Sequence, residues 1–220
     1  MIPKNLTILT LNTPDITDFA AARNNALSQA KTPWVLFLDT DEVVSPALES
    51  EIYQICNLKS NIYSAYSIPR LDTFLGRTLC HGETGDARFI RLARRDFGHW
   101  VRPVHEVWQP ARNATHSVAG GGEGRVGELK NPLLHYPHPT LSAFLTKIDH
   151  YSTLEATYRY RNNRRSSLVH ILIYPLAKFK YNYVWKLGFL DGVPGLIHAL
   201  MMSFHSYLTW TKLFLLWHKK

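Results

Sequence analysis

Cysteine is nearly absent from this chain of 220 residues: Cys56 and Cys80 are its only two, they stand in unrelated contexts, and neither belongs to a CxxC pair. A disulfide framework and a zinc knuckle are thereby excluded, and a reducing compartment fits. Glycine and proline stop at 12 each while apolar residues reach 45%, which rules out a collagen-like or disordered chain. Met1 to Thr13 holds only a short apolar run, so no signal peptide is expected. Acidic residues are scarce in one region only. Residues 1–130 carry 14 Lys and Arg against 14 Asp and Glu, whereas residues 131–220 carry 11 against 3, so the whole net charge of +8 belongs to the last 90 residues.

What is present is a change of pattern along the chain. Leu6 to Leu11 has the length and composition of a short buried strand. Thr17 or Asp18 then caps a helix whose apolar face is predicted to be Phe19, Ala22, Ala26, Leu27 and Ala30, ending at Lys31-Thr32-Pro33. Trp34 to Leu38 is a continuous apolar run, as expected of a strand covered on both faces. Ser45-Pro46 starts a second helix, through about Leu58. Alternation of strand and helix predicts an α/β fold, in which ligands bind beyond the carboxyl ends of the strands. Asp39 occupies such an end.

From Ile62 to Tyr136 the runs become short and alternating, predicting strands over Ile62–Ile68, Arg88–Ala93, Val104–Trp108, Thr115–Ala119 and Leu133–Tyr136. The glycines at 120, 121, 122 and 124 lack the Gly-Lys-Ser/Thr of a phosphate loop and predict a hairpin tip. His135 and His138 are separated by Pro137, which forbids a helical metal pair and favours a loop. Beyond Pro139, Leu141, Phe144, Leu145, Ile148, Tyr151 and Leu154 recur at helical spacing. Two strongly apolar stretches follow, Ser166 to Ala177, broken by Pro175, and Gly192 to Thr211, framed by Lys178, Lys180, Lys186, Lys212, Lys219 and Lys220. Leu196, Leu200, Phe204 and Leu208, spaced by four, fit either core or an amphipathic face. The second stretch approaches the ~20 residues of a membrane span, but Pro194, Gly195, Ser203 and two histidines make it a poor one. Basic residues interleaved with Leu and Phe runs point to an anionic membrane surface rather than to nucleic acid.

The sharpest chemical signal is Asp39-Thr40-Asp41-Glu42 directly after the apolar strand. At a strand end residues two apart point to one side, so Asp39 and Asp41 are expected to converge on one volume, with Thr40 pointing away, and to hold Mg²⁺ or Mn²⁺ with positions open for phosphate oxygens. The same residues also suit a solvated turn that caps the next helix. A haloacid dehalogenase-like phosphatase shares the Asp-x-Asp-x-Val spacing, but the later acidic pair it needs is missing.

Several segments in order carry a resemblance. Phe19 to Leu27, Thr32 to Glu42, Arg91 to Arg95, Val104-His105-Glu106, Leu129 to Tyr136, Phe144 to Ser152 and Gly188 to Gly195 resemble family 2 glycosyltransferases with the GT-A fold, in the subgroup of lipopolysaccharide-core sugar transferases. The resemblance implies a Rossmann-like sheet flanked by helices over residues 1–138 and a helical membrane-interface region over 139–220. That family opens with two further strand-helix units carrying the base-binding segment, and Leu6 aligns beyond them, so a partial GT-A domain is expected; a non-catalytic membrane-associated remnant or partner subunit is the alternative. The implied activity is inverting, metal-dependent transfer of a sugar from a nucleotide-diphosphate donor to a lipid-linked or other cell-envelope glycan acceptor, at the cytoplasmic membrane face. Asp39 and Asp41 would bind the metal, and Arg23, Asn24, Asp39, Arg88 and Arg91 the substrate. Glu106, Asp86 and His105 are the catalytic candidates, with Glu106 first as general base.

Overall fold

The computed structural model describes residues 3–11, 16–58, 63–103, 106–110 and 125–218. The predicted strand at Thr115–Ala119, the glycine run and His105 lie outside them. In chain order the strands are β1 (Leu6–Thr10), β2 (Trp34–Leu38), β3 (Glu42–Val44), β4 (Tyr63–Phe74), β5 (Arg77–Leu79), β6 (Arg88–Arg94), β7 (Gly98–Val101), β8 (Val107–Pro110), β9 (Arg125–Glu128) and β10 (Leu133–His138). The helices are α1 (Phe19–Gln29), α2 (Pro46–Asn57), the single turn α3 (Gly82–Gly85), α4 (Leu141–Arg161), α5 (Leu168–Lys180) and α6 (Gly192–His218). They fall into two compact units, one of Met1–Arg70 with Ala87–His135, the other of Leu71–Asp86 with Tyr136–Lys220.

In the first unit β1 runs parallel to β2, β2 antiparallel to β6, and β6 antiparallel to β4, giving a mixed sheet. Its two faces follow from alternation along β2. Trp34 and Leu36 join Leu48, Ile52 and Cys56 of α2, while Val35 and Phe37 join Ala20 and Leu27 of α1 with Trp100 and Trp108 of the β7–β8 hairpin. The apolar run is therefore covered on both sides, as its composition predicts. Both helices begin with predicted caps: Asp18 Oδ1 accepts from Ala21 N at 2.8 Å, and Ser45 Oγ accepts from Leu48 N at 3.3 Å. Burial in the apolar α2 layer pushes the Cys56 thiol up to about 12, which keeps it an inert core residue.

Helix α1 departs from expectation. Its buried positions are Ala20, Arg23 and Leu27, not Phe19, Ala22 and Ala26, so an arginine occupies the middle of the face turned to the sheet.

The second unit is built on α4, α5 and α6. Phe74, Leu79, Phe144 and Ile148 form one core with Met201, Met202 and Leu208 against them, and Ala156, Trp210 and Leu213 form another. Leu208 of the four-spaced series packs, partly buried, against the first of these cores, whereas Leu200 and Phe204 are exposed. Pro175 does not break α5; the helix continues to Lys180, and the Pro175 carbonyl accepts a hydrogen bond from Ser203 Oγ of α6 at 2.8 Å. His135 and His138 lie on strand β10 rather than in a loop. A buried carboxylate organises the turn before α6: Asp191 accepts from Cys80 N at 3.2 Å, from His81 N at 2.9 Å, and pairs with His81 Nδ1 at 2.8 Å.

Candidate active site

The alternation that sorts β2 between the two faces sends Leu38 to the α2 side and the next residue, Asp39, to the α1 side. There it meets Arg23, whose Nη2 donates to Asp39 Oδ1 at 2.6 Å. Arg91, one position beyond the Leu36–Leu92 pair on β6, donates through Nη2 to Asp39 Oδ2 at 2.5 Å. Each carboxylate oxygen thus receives one guanidinium. Arg23 also donates through Nε to Glu106 Oε1 at 2.8 Å, placing Glu106, just ahead of β8, in the same cluster.

Glu42 anchors the arrangement from below. Its side chain is fully buried, Oε1 accepts from Arg91 Nη2 at 2.7 Å, Oε2 accepts from Asp39 N at 3.1 Å, and Arg70 Nη1 lies 3.8 Å away. Asp39, Glu42 and Glu106 therefore face Arg23, Arg70 and Arg91, three charges against three. Buried charges persist only when paired and hydrogen-bonded in this way. Burial alone would raise the Asp39 carboxyl, but the charges of Arg91 and Arg23 overcome it and hold the group below its ordinary value. Arg91 is raised in turn: burial disfavours its charge, and Asp39 and Glu42 more than compensate. Its permanent cationic state makes it a fixed element of the site. Trp100 closes the far side of Arg23, with the guanidinium 5.0 Å from the ring centre.

The turn Asp39-Thr40-Asp41, closed by Glu42 N donating to Asp39 O at 3.0 Å, ends the strand alternation on which the predicted convergence of Asp39 and Asp41 depends. Asp41 instead lies beside β10, with Oδ1 3.5 Å from His135 Nε2. A hard divalent cation needs oxygen donors. Asp41 offers a carboxylate about one-quarter exposed, and each Asp39 oxygen retains a second lone pair beyond its guanidinium bond. No group of three His, Cys, Asp or Glu able to hold an ion stands among the described residues. A cation held here would draw few protein oxygens and would have to complete its shell with phosphate oxygens and water, as Mg²⁺ commonly does.

The other expected site residues have different employment. Asn24 donates through Nδ2 to Trp100 O at 2.9 Å and accepts from Trp100 N at 2.8 Å, so its amide pins α1 to β7. Arg88 donates to the carbonyls of Leu129 at 2.7 Å and Ser67 at 3.3 Å, joining β6 to the neighbouring backbone. Asp86 belongs to the second unit, where its exposed carboxylate pairs with Lys186 at 2.8 Å. Three participants were not among the expected site residues: Glu42, Arg70 and His135. Glu42 was visible in the Asp-Thr-Asp-Glu string, but nothing in one sequence says that its side chain turns inward.

The chain is similar to known glycosyltransferases. The model of glycosyl transferase family 2 matches residues 5–105, which include Arg23, Asp39, Asp41, Glu42 and Arg91. The lipopolysaccharide core biosynthesis glycosyltransferase LpsC of Rhizobium meliloti is 25% identical over 202 residues, covering 89% of this chain and 69% of the relative. Two uncharacterized glycosyltransferases, RC0292 of Rickettsia conorii and RT0209 of Rickettsia typhi, are each 22% identical over 89% of this chain, covering 69% and 66% of their own lengths. These matches assign a transferase rather than a phosphatase to the Asp-x-Asp-x-Val segment. Residues 5–105, whose α/β sheet ends in an arginine-clasped aspartate, match glycosyl transferase family 2, and similarity to named glycosyltransferases extends over most of the chain.

Proposed function

We propose that the chain transfers a sugar, with inversion, from a nucleotide-diphosphate donor to a hydroxyl of a lipid-linked cell-envelope glycan, and that it does so in a metal-dependent manner at the cytoplasmic face of a membrane. The observation that carries this reading is the meeting of Arg23 and Arg91 on Asp39 at the carboxyl end of β2, with Glu106 on the same guanidinium. Two fixed cations at a strand end suit the oxygens of a diphosphate. Asp39 balances them until those oxygens share their N–H groups.

Asp41, with Asp39, would hold Mg²⁺ or Mn²⁺, which supplies positive charge to the departing diphosphate. As the acceptor oxygen bonds to the anomeric carbon and the bond to the diphosphate oxygen breaks, Glu106 takes the hydroxyl proton. Arg23 Nε fixes Glu106 Oε1, which leaves Oε2 to receive it. Similarity to a relative named for lipopolysaccharide core biosynthesis supports an envelope glycan acceptor. The excess of 11 basic over 3 acidic residues in 131–220 supports an anionic surface as the place of work.

The test is turnover of a panel of nucleotide sugars with Mn²⁺. Asp41→Ala is expected to fall to the level of a chelator-treated sample. Equal turnover by that variant and the parent protein would contradict the metal role.

A further inference from the structure

Within the second unit, the segment from Leu168 to Val193 presents a run of large apolar side chains to solvent. Leu172 is 60%, Leu176 61%, Val193 67% and Trp185 80% exposed, far beyond the scattered apolar exposure of an ordinary surface. The segment is an elbow. Residues Leu168–Trp185 meet Gly188–His218 at a bend of 70°, and this pair is long and apolar enough to enter a membrane although no single helix among the described residues is. From its composition and shape we infer that this elbow is a monotopic insertion device that buries α5 and the turn after it in one leaflet of an anionic bilayer. The inference rests on the membrane-surface reading above and deepens it from adsorption to insertion.

Three further observations carry it. First, the bend is a pre-formed structure whose backbone is hydrogen-bonded. Lys186 N donates to Tyr181 O at 2.8 Å, Leu187 N to Val184 O at 3.2 Å and Leu190 N to Leu187 O at 2.9 Å, while Lys186 O accepts from Gly82 N at 2.9 Å. Hydrocarbon offers no replacement for such bonds, so only a segment already satisfied can enter it. A Cβ on Gly195 would lie 2.1 Å from Gly188 O, so glycine at that position lets α6 start against the bend.

Second, length decides depth. The helical arm Leu168–Trp185 spans roughly 27 Å at ~1.5 Å per residue, short of a ~30 Å hydrocarbon core, and the bend that ends it turns the chain back. The exposed face also contains an open groove of about 570 Å³ lined by Ile171, Leu172, Leu176, Leu200, Phe204 and Tyr207. Its apolar walls suit an acyl chain.

Third, charge selects the occupant. The second unit holds 12 Lys and Arg against 6 Asp and Glu, a net positive charge that remains although Lys178 pairs with Glu83 and Lys186 with Asp86. A second copy would bring a like-charged surface against this one, because a two-fold interface apposes the same patch to itself. Anionic headgroups attract it.

The experiment is flotation of the full chain with vesicles of phosphatidylcholine and phosphatidylglycerol, at low salt and in 1 M NaCl, for the parent protein and Leu172→Glu/Leu176→Glu. Salt screens adsorption but not apolar burial, so the parent is expected to stay bound in 1 M NaCl. The double variant is expected to lose partitioning on the order of a hundredfold. Its far-UV circular dichroism and vesicle-free sugar-nucleotide turnover should be unchanged, since both positions face solvent. Complete release of the parent protein by salt would overturn insertion while leaving surface adsorption standing. Undiminished flotation of the double variant would also overturn it, as would a vesicle-free dimer that the double variant dissociates. Absence of sugar-nucleotide turnover in the parent protein would strike the catalytic reading alone, because flotation is scored without substrate.

Discussion

Glu42→Ala is expected to lower the thermal midpoint by on the order of 10 °C, the largest stability loss of any single change around the site. The reason is electrostatic accounting in a dry place. Arg91 is 6% exposed, and its Nη2 divides between Asp39 and Glu42. Without Glu42 the guanidinium keeps one carboxylate, Arg70 loses a neighbouring one, and Asp39 N loses its acceptor. Removing one partner of a buried pair costs about 3–5 kcal/mol, mostly because the remaining charge is stranded. Glu42→Gln keeps the volume and the acceptor oxygen and should recover part of that loss. Melting curves of the three proteins at neutral pH check this; equal midpoints would show that Glu42 anchors nothing.

The same cluster sets a direction for acid stability. Because Asp39 titrates below its ordinary value in the folded protein, the unfolded chain takes up its proton first as pH falls. The contribution of Asp39 is complete above the ordinary carboxylate range and disappears as pH drops through the depressed value. Between neutral pH and that range the clasp of Arg23, Asp39 and Arg91 should be insensitive to pH.

Glu106→Gln should leave the fold nearly intact and reduce kcat by about 10²–10⁴-fold, the usual worth of a positioned general base. Glutamine preserves the acceptor oxygen that Arg23 Nε uses, so donor affinity should change little. That contrast separates a base from a merely structural ion pair, which would alter stability or KM before kcat. Steady-state kinetics with a saturating nucleotide sugar decide it. An unchanged kcat would return Glu106 to the status of a counterion for Arg23.

Much of this arrangement was legible in the residues. The run Trp34 to Leu38 announces a strand covered on both faces because only such a strand is apolar at every position. Once the alternation is drawn, the side to which Asp39 turns follows. The caps at Asp18 and Ser45 were equally plain, since their side chains have one physical task at a helix start. What could not be seen was where polar residues go inside. Helical periodicity weighs arginine as a surface residue, so of the face it assigns to α1, Leu27 and Ala30 are buried, while Arg23, at the centre of the buried side, is missed. Glu42 escaped for the same reason. The convergence of Asp39 and Asp41 was drawn from strand alternation, which stops where the chain turns after Leu38. Pro175 looked like a helix break because sequence shows the lost N–H but not the Ser203 hydroxyl that ties its carbonyl to α6.

Arg23 and Arg91, brought together by Asp39, are expected to receive the diphosphate of the donor. Calorimetric titration with nucleoside diphosphates in the presence of Mn²⁺ measures this directly, for the parent protein and for Arg23→Lys, which keeps the charge but removes the fork that reaches both Asp39 and Glu106. Binding by the parent protein that weakens by about tenfold or more in the folded lysine variant is the predicted result, at roughly 1.4 kcal/mol per factor of ten. Equal affinity of the two proteins would contradict it and move the donor site away from the end of β2.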